Sequence, residues 1–352
     1  MAAQVTRSLA ELKAWHARYA EPALEPELPL IDAHHHMWDR PPEHYGLYEL
    51  LDEFTQGHDV RASVFVECTA MFKADGPEAL RPVGETEYVN GVAAMSASGI
   101  YGGSRVCAAI VGYADLRAGA AVRQLLAAHV RAGGGRFRGI RQQAQFDEAL
   151  GSMARRKPPQ GLLSDPDFRA GFAELAPLGL HFDAYLYGSQ LDDLRNLAAA
   201  FPDTTIILNH VGAPLLIGPY AAHREAVFQQ WREAIMRLAE CRNVVVKLGG
   251  LGMMGFGFDF HLRDIPPSSD DLAQAWRPFI AACLDAFGPE RCMFESNFPV
   301  DKQSCGYPVL WNAFKKLSSH LPAADRARVF LGTAQQVYGI ALPEPPIDQP
   351  LP

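Results

Sequence analysis

Three features of this 352-residue chain predict an α/β fold of the distorted (β/α)8, or TIM, barrel type. Eight short apolar runs alternate with helical patterns. The runs are continuously apolar, as strands buried on both faces are. Polar side chains collect at the C-terminal ends of the runs, where barrel enzymes carry their chemistry. Eight βα units in one chain of this length favour a closed barrel over an open, doubly wound sheet, the main rival.

The elements follow in order. Residues 6–20 read as a short helix, with Thr6 or Ser8 as its cap and Leu9, Leu12 and Trp15 along one face; it stops near Pro22. The strand candidates are LPLIDAHHH (28–36), ASVFVEC (62–68), RVCAAIVGY (105–113), RFRGIRQ (136–142), LHFDAYLY (180–187), TTIILNH (204–210), NVVVKLG (243–249) and RCMFES (291–296). Between them, stretches such as 119–133, 189–201, 224–240 and 272–288 carry helical patterns. No Ser/Gly linker, charge block or repeat divides the chain. The organisation expected is an N-terminal helical extension (1–27), one barrel (28–340) and a Pro-rich tail (341–352).

Composition narrows the function. With 48% hydrophobic and 20% charged residues there is ample material for a core, which excludes disorder as the main state. A net charge of −8 gives no general affinity for nucleic acid phosphates or anionic membranes. No apolar run reaches the roughly 20 residues that span a bilayer, and the first residues lack a signal-peptide segment. The six cysteines have no CxxC spacing and read as reduced, mostly buried thiols. The expected partner is a small-molecule substrate, with no nucleic acid and no membrane, and the expected location is cytoplasmic. A homo-oligomer stays open.

The strand ends carry the chemistry. The first run closes in Asp32-Ala33-His34-His35-His36, and alternation puts His34 and His36 on one face, where two imidazoles can bind a metal or polarise a substrate. The sixth closes in Asn209-His210, where His210 suits a third ligand or an acid/base group. The eighth closes in Glu295-Ser296-Asn297, with Asp301 and Lys302 beyond. Glu295 is either a functional carboxylate or one half of a strand-end ion pair. Glu67, at the end of the second run, lines the barrel or starts a loop. Arg141 and Lys247, in the fourth and seventh runs, either bind a substrate acid group or a developing oxyanion, or form internal salt bridges with Glu67 or Glu295. Of Asp183, Tyr185 and Tyr187, one is expected on the substrate, and Trp38 is expected to line the pocket. Gly250-x-Gly252-x-x-Gly255 matches a dinucleotide fingerprint, but the Phe- and Pro-containing stretch after it reads as a loop. A mobile flap over the mouth fits better.

These motifs together resemble the amidohydrolase superfamily: Ile31 to Asp39, Leu208 to Gly212, and Met293 to Pro299. The similarity runs from about residue 28 to 340 and is strongest to the type 2 group, which includes L-fuconolactonase-like and L-rhamnonolactonase-like sugar lactonases and 2-pyrone-4,6-dicarboxylate lactonase. It implies hydrolysis of an ester, lactone or amide by an activated water. By position, it implies His34, His36 and His210 as the histidine set, holding a divalent metal (zinc or manganese) or none, and Arg141 as a reader of substrate carboxylate. One departure matters. The strand-eight pattern Gly-Ser-Asp-Trp-Pro reads Glu295-Ser296-Asn297-Phe298-Pro299 here, so the proton-accepting Asp is Asn297, and an amide is no general base. Glu295, Glu67 and Asp301 are the possible replacements, Glu295 or Glu67 preferred, and Asp32, two residues before His34, is a further option. The function expected is a hydrolase opening a lactone. The alternatives are a metal-dependent decarboxylase and a non-catalytic binding protein.

Overall fold

A computed structural model describes residues 6–41 and 43–342. Most of the Pro-rich tail lies outside these residues. Eight parallel strands pair in chain order: β1 (Leu30–His35), β2 (Val60–Val66), β3 (Arg105–Gly112), β4 (Phe137–Arg141), β5 (His181–Ala184), β6 (Ile206–Leu208), β7 (Val244–Leu248) and β8 (Cys292–Phe294). Helices lie between successive strands, among them Val83–Ala97, Val122–Ala132, Leu191–Ala200, Arg224–Ala239 and Ser269–Phe287. This is the expected distorted (β/α)8 barrel. It closes through the segment after β8. His36 N donates to Phe298 O at 2.8 Å, and Asn297 N donates to His34 O at 2.8 Å.

Several strands are shorter than their apolar runs. β6 stops at Leu208, because His210 and Val211 take positive φ values of 55° and 50° and turn the chain. Left-handed backbone at non-glycine residues costs on the order of 1–3 kcal/mol each and recurs at functional sites. β1 holds the other irregularity. Ile31 and Ala33 belong to the apolar layer with Val64, Ile207 and Met293, yet His34 and His36 also face inward. A register shift between Asp32 and His35 re-phases the strand, as bulges do. Asp32 therefore does not share the His34 face. It accepts from Ser296 N (2.8 Å) and Ser296 Oγ (2.6 Å), tying β1 to the segment after β8.

Below the polar layer, the interior is filled by aliphatic side chains and plugged by Tyr338 and Ile340 at the end of the last helix (Thr333–Tyr338). The N-terminal helix runs from Leu9 to His16 and is capped by Ser8, not Thr6. It buries Leu12 and Trp15, and the Trp15 indole donates to the Arg263 and Asp264 carbonyls at 3.1 and 3.0 Å. This extension thus holds the far end of the loop after β7. No described helix is long and apolar enough to cross a membrane, and all six cysteines are free thiols.

Candidate active site

The C-terminal strand ends converge on His34. Its two ring nitrogens face different groups. Nδ1 lies 2.9 Å from Glu295 Oε2 and 3.3 Å from Lys247 Nζ. Nε2 lies 3.3 Å from His36 Nε2 and 3.3 Å from Arg141 Nη1. Strand alternation thus brings His34 and His36 together, as read from the sequence. His36 donates through Nδ1 to the Val66 carbonyl at 2.7 Å, which leaves its Nε2 as the lone-pair nitrogen facing His34.

His210 comes from the turn after β6. Its Nδ1 donates to Glu295 Oε1 at 2.7 Å, and its backbone N–H donates to the same oxygen at 3.1 Å. The left-handed backbone at His210 lets both groups reach one acceptor. Glu295 Oε2, by contrast, is buried with no hydrogen-bond donor aimed at it. Burial pushes the Glu295 carboxyl up to about 8, with Lys247 pulling the other way. Burial also holds the imidazoles of His34, His36 and His210 well below their usual range. Lys247 adds to this at His34, and Arg141 at His36 and His210.

His34, His210 and Glu295 offer ligand atoms all within 4.8 Å of one another. Two neutral imidazoles, one carboxylate and a buried oxygen without a donor form a donor set suited to a divalent cation. The group differs from the all-histidine set read from the sequence: Glu295 joins it, and His36 flanks it through His34.

The structure separates the carboxylates that the sequence left as alternatives. Glu67 is bound to Arg141, whose Nε donates to Oε1 at 2.8 Å and whose Nη2 donates to the Glu67 carbonyl at 2.6 Å. Asp301 takes Asn297 Nδ2 and Gly252 N, both at 2.8 Å, and so fastens the loop after β7. Asn297 spends its amide on Asp301 rather than on the histidines. Only Glu295 stands in the cluster. Lys247 pairs at 2.7 Å with Asp183, not with Glu67 or Glu295. Asp183 also accepts from Asn209 Nδ2 at 2.9 Å and from Tyr338 OH at 3.3 Å. Burying an ammonium without such a carboxylate partner is costly.

The cover is built from the loop after β7. Gly250 lies against the His210 ring: a Cβ there would come 2.3 Å from Nδ1, and φ is +70°. Tyr185 packs edge-on to His210 at 5.0 Å between centroids and donates its hydroxyl to Met253 Sδ at 3.5 Å. Phe256 and Phe260 are buried, and Phe258 and Phe260 pack on Phe279 and Trp276 respectively. These rings hold the loop to the helices instead of lining the mouth. Trp38, half-buried, stacks on His36 at 6.4 Å.

A (β/α)8 barrel with histidines and a carboxylate clustered at its C-terminal mouth has the layout of a barrel enzyme. The chain belongs to the amidohydrolase family, whose model matches residues 31–340, and it is a hydrolase of that family. An uncharacterized Sinorhizobium fredii protein, y4mH, is 33% identical over 336 residues, spanning 89% of this chain and 99% of its own. L-fucono-1,5-lactonase of Burkholderia multivorans is 33% identical over 239 residues, 68% of this chain and 73% of its own. The crystal structure of a Burkholderia multivorans amidohydrolase with bound zinc superposes with a TM-score of 0.68 at 26% identity, over 89% of this chain and 99% of that one.

Proposed function

We propose that this chain opens a lactone, or a related cyclic ester of a small organic acid, by attack of water at the barrel mouth. The observation that carries the reading is Glu295. It stands between His34 and His210, with Oε1 held by two His210 N–H groups and Oε2 lying 2.9 Å from His34 Nδ1 with no aligned donor, where it replaces the carboxylate lost at Asn297. Similarity to a named lactonase supports the substrate class.

His34, His210 and Glu295 would hold a divalent cation, zinc being the ion in the Burkholderia multivorans crystal, and it would supply Lewis-acid polarisation of the ester carbonyl. The remaining steps belong to side chains. Arg141 and Lys247, the cations beside His34, face the carbonyl oxygen as charge develops on it. Water adds to the carbonyl carbon and gives its proton to Glu295 Oε2. Collapse of the tetrahedral adduct breaks the ring C–O bond, and the leaving alkoxide takes the proton back from Glu295. The product is a hydroxy acid, which ionises and releases one proton.

Titrating acid release at fixed pH over a lactone panel that includes L-fucono-1,5-lactone tests this. One acid equivalent per lactone, with no carbon dioxide, is expected. Carbon dioxide from an aromatic acid would make the chain a decarboxylase, and tight ligand retention without turnover a binding protein.

A further inference from the structure

Beside Glu67, the barrel mouth carries positive charge that the chemistry above does not use. A cavity of about 40 Å³ there is lined by Glu67, Thr69, Tyr113, Gln143, Arg156 and Lys157, among others. A water takes about 30 Å³ of liquid, so a group of carboxylate size fits. Two of the acids nearby have cationic partners, Glu67 with Arg141 at 2.8 Å and Asp115 with Arg117 at 2.7 Å, and the buried Glu85 accepts from the Cys68 and Ala70 backbone N–H groups. Arg156 and Lys157 have no carboxylate partner among the described residues, so their charge is left over.

Arg156 also lies against two aromatic rings. Its guanidinium carbon lies 5.0 Å from the Phe72 ring centroid and 4.6 Å from that of Tyr113, and these rings are 6.1 Å apart. Arg156 is exposed; cation–π contact with the two rings orients its guanidinium, and none of its N–H groups is hydrogen-bonded among the described residues, so they can meet a bidentate acceptor. A carboxylate is such an acceptor. Glu67 lines the cavity and holds Arg141, whose Nη1 lies 3.3 Å from His34 Nε2, so a ligand there lies beside the histidine cluster.

We infer that the substrate carries a second anionic group, a carboxylate remote from the scissile carbonyl, and that Arg156 with Lys157 binds it. The inference rests on the lactone reading and narrows it from neutral sugar lactones to acid-bearing ones. Arg156 is a specificity residue rather than part of the reaction.

A matched pair of lactones tests this: γ-butyrolactone and the same ring with a carboxylate, 5-oxotetrahydrofuran-2-carboxylate. Wild type is expected to prefer the acid. Arg156→Gln should raise KM for the acid about ten- to hundredfold, the loss of one charge-assisted hydrogen-bonding partner. It should leave kcat for the acid and both constants for the parent lactone unchanged. Equal kcat/KM for the pair in wild type, or no effect of Arg156→Gln on the acid, would overturn the inference while lactone opening stands. Should neither lactone open, calorimetry with tetrahydrofuran-2-carboxylate, which has no ester to cleave, decides separately. Binding at least about tenfold weaker in Arg156→Gln upholds the carboxylate site and removes the lactone reading. Equal or undetectable binding overturns the site.

Discussion

Glu295 and His210 meet twice: Oε1 of the carboxylate accepts from the ring Nδ1 at 2.7 Å and from the backbone N–H at 3.1 Å. This double contact fixes the imidazole tautomer, so that Nε2 of His210 carries the open lone pair. It also leaves Oε2 of Glu295 without a donor, beside His34. The function proposed follows from that asymmetry.

Metal content is the first consequence. Protein purified without chelator or affinity-tag metal should hold about one divalent ion per chain, by mass spectrometry, and His34→Ala should lose it. Protein free of metal, with no gain in activity on adding zinc or manganese, would remove the cation from the account.

Restoring the family carboxylate should not help. Asn297 Nδ2 donates to Asp301 Oδ1 at 2.8 Å inside the barrel. Asn297→Asp replaces the donor with a second acceptor, and the expected cost is about 1–3 kcal/mol. Thermal denaturation should show a lower Tm, recovered when Asp301→Asn is added. A rise in kcat in the single variant would mean that position 297 is the better place for the proton acceptor.

Close packing of the loop on the histidine gives a third test. In Gly250→Ala, the new methyl meets His210 Nδ1 at 2.3 Å on a backbone with φ +70°, so His210 must move and kcat should fall at least about tenfold. Gly255→Ala is the control. Its methyl meets only the end of the exposed Met153 side chain, which can swing aside. Equal kinetics for the two variants would contradict the packing described.

A pH effect on stability is expected from His129. The ring is buried and stacked on Phe137 at 4.9 Å between centroids, and its nitrogens contact Thr86 Oγ1 at 2.8 Å and the Tyr113 carbonyl at 3.0 Å. Burial lowers it to about 4. Its unfolded value is higher, so the unfolded chain binds more protons between these limits, and stability is lost as pH falls from about 6.5 to about 4. The loss amounts to roughly 3 kcal/mol at most. Urea unfolding at pH 7 and pH 4.5 should show a smaller difference in His129→Gln than in wild type; an unchanged difference would assign the acid sensitivity elsewhere.

Much of this was legible in the sequence. The eight apolar runs gave all eight strands, and period-two alternation paired His34 with His36. A histidine two positions after Ile-Ile-Leu and a glutamate directly after Cys-Met-Phe pointed to the rim, because burial there needs partners. What the sequence hid depends on closure and register. The shift in β1 moves Asp32 off the His34 face, and no local pattern marks it. Tyr338 reaches Asp183 across 155 positions of chain, a contact made only when the last helix plugs the barrel. Lys247 invited pairing with Glu67 or Glu295, but its ammonium instead reaches across the barrel interior, past β6, to Asp183 on β5. Asn297 signalled a loss, and its positive φ of 55° and its bond to Asp301 explain what the amide does instead.

The most direct test of the central claim is acid release by Glu295→Gln at fixed pH, on the lactone that wild type opens fastest. The amide keeps the shape and an acceptor for His210 but cannot take a proton. The account predicts a kcat lower by about 10²–10⁴-fold with Tm maintained. Turnover within a few-fold of wild type would contradict it, and would place the proton acceptor on another group.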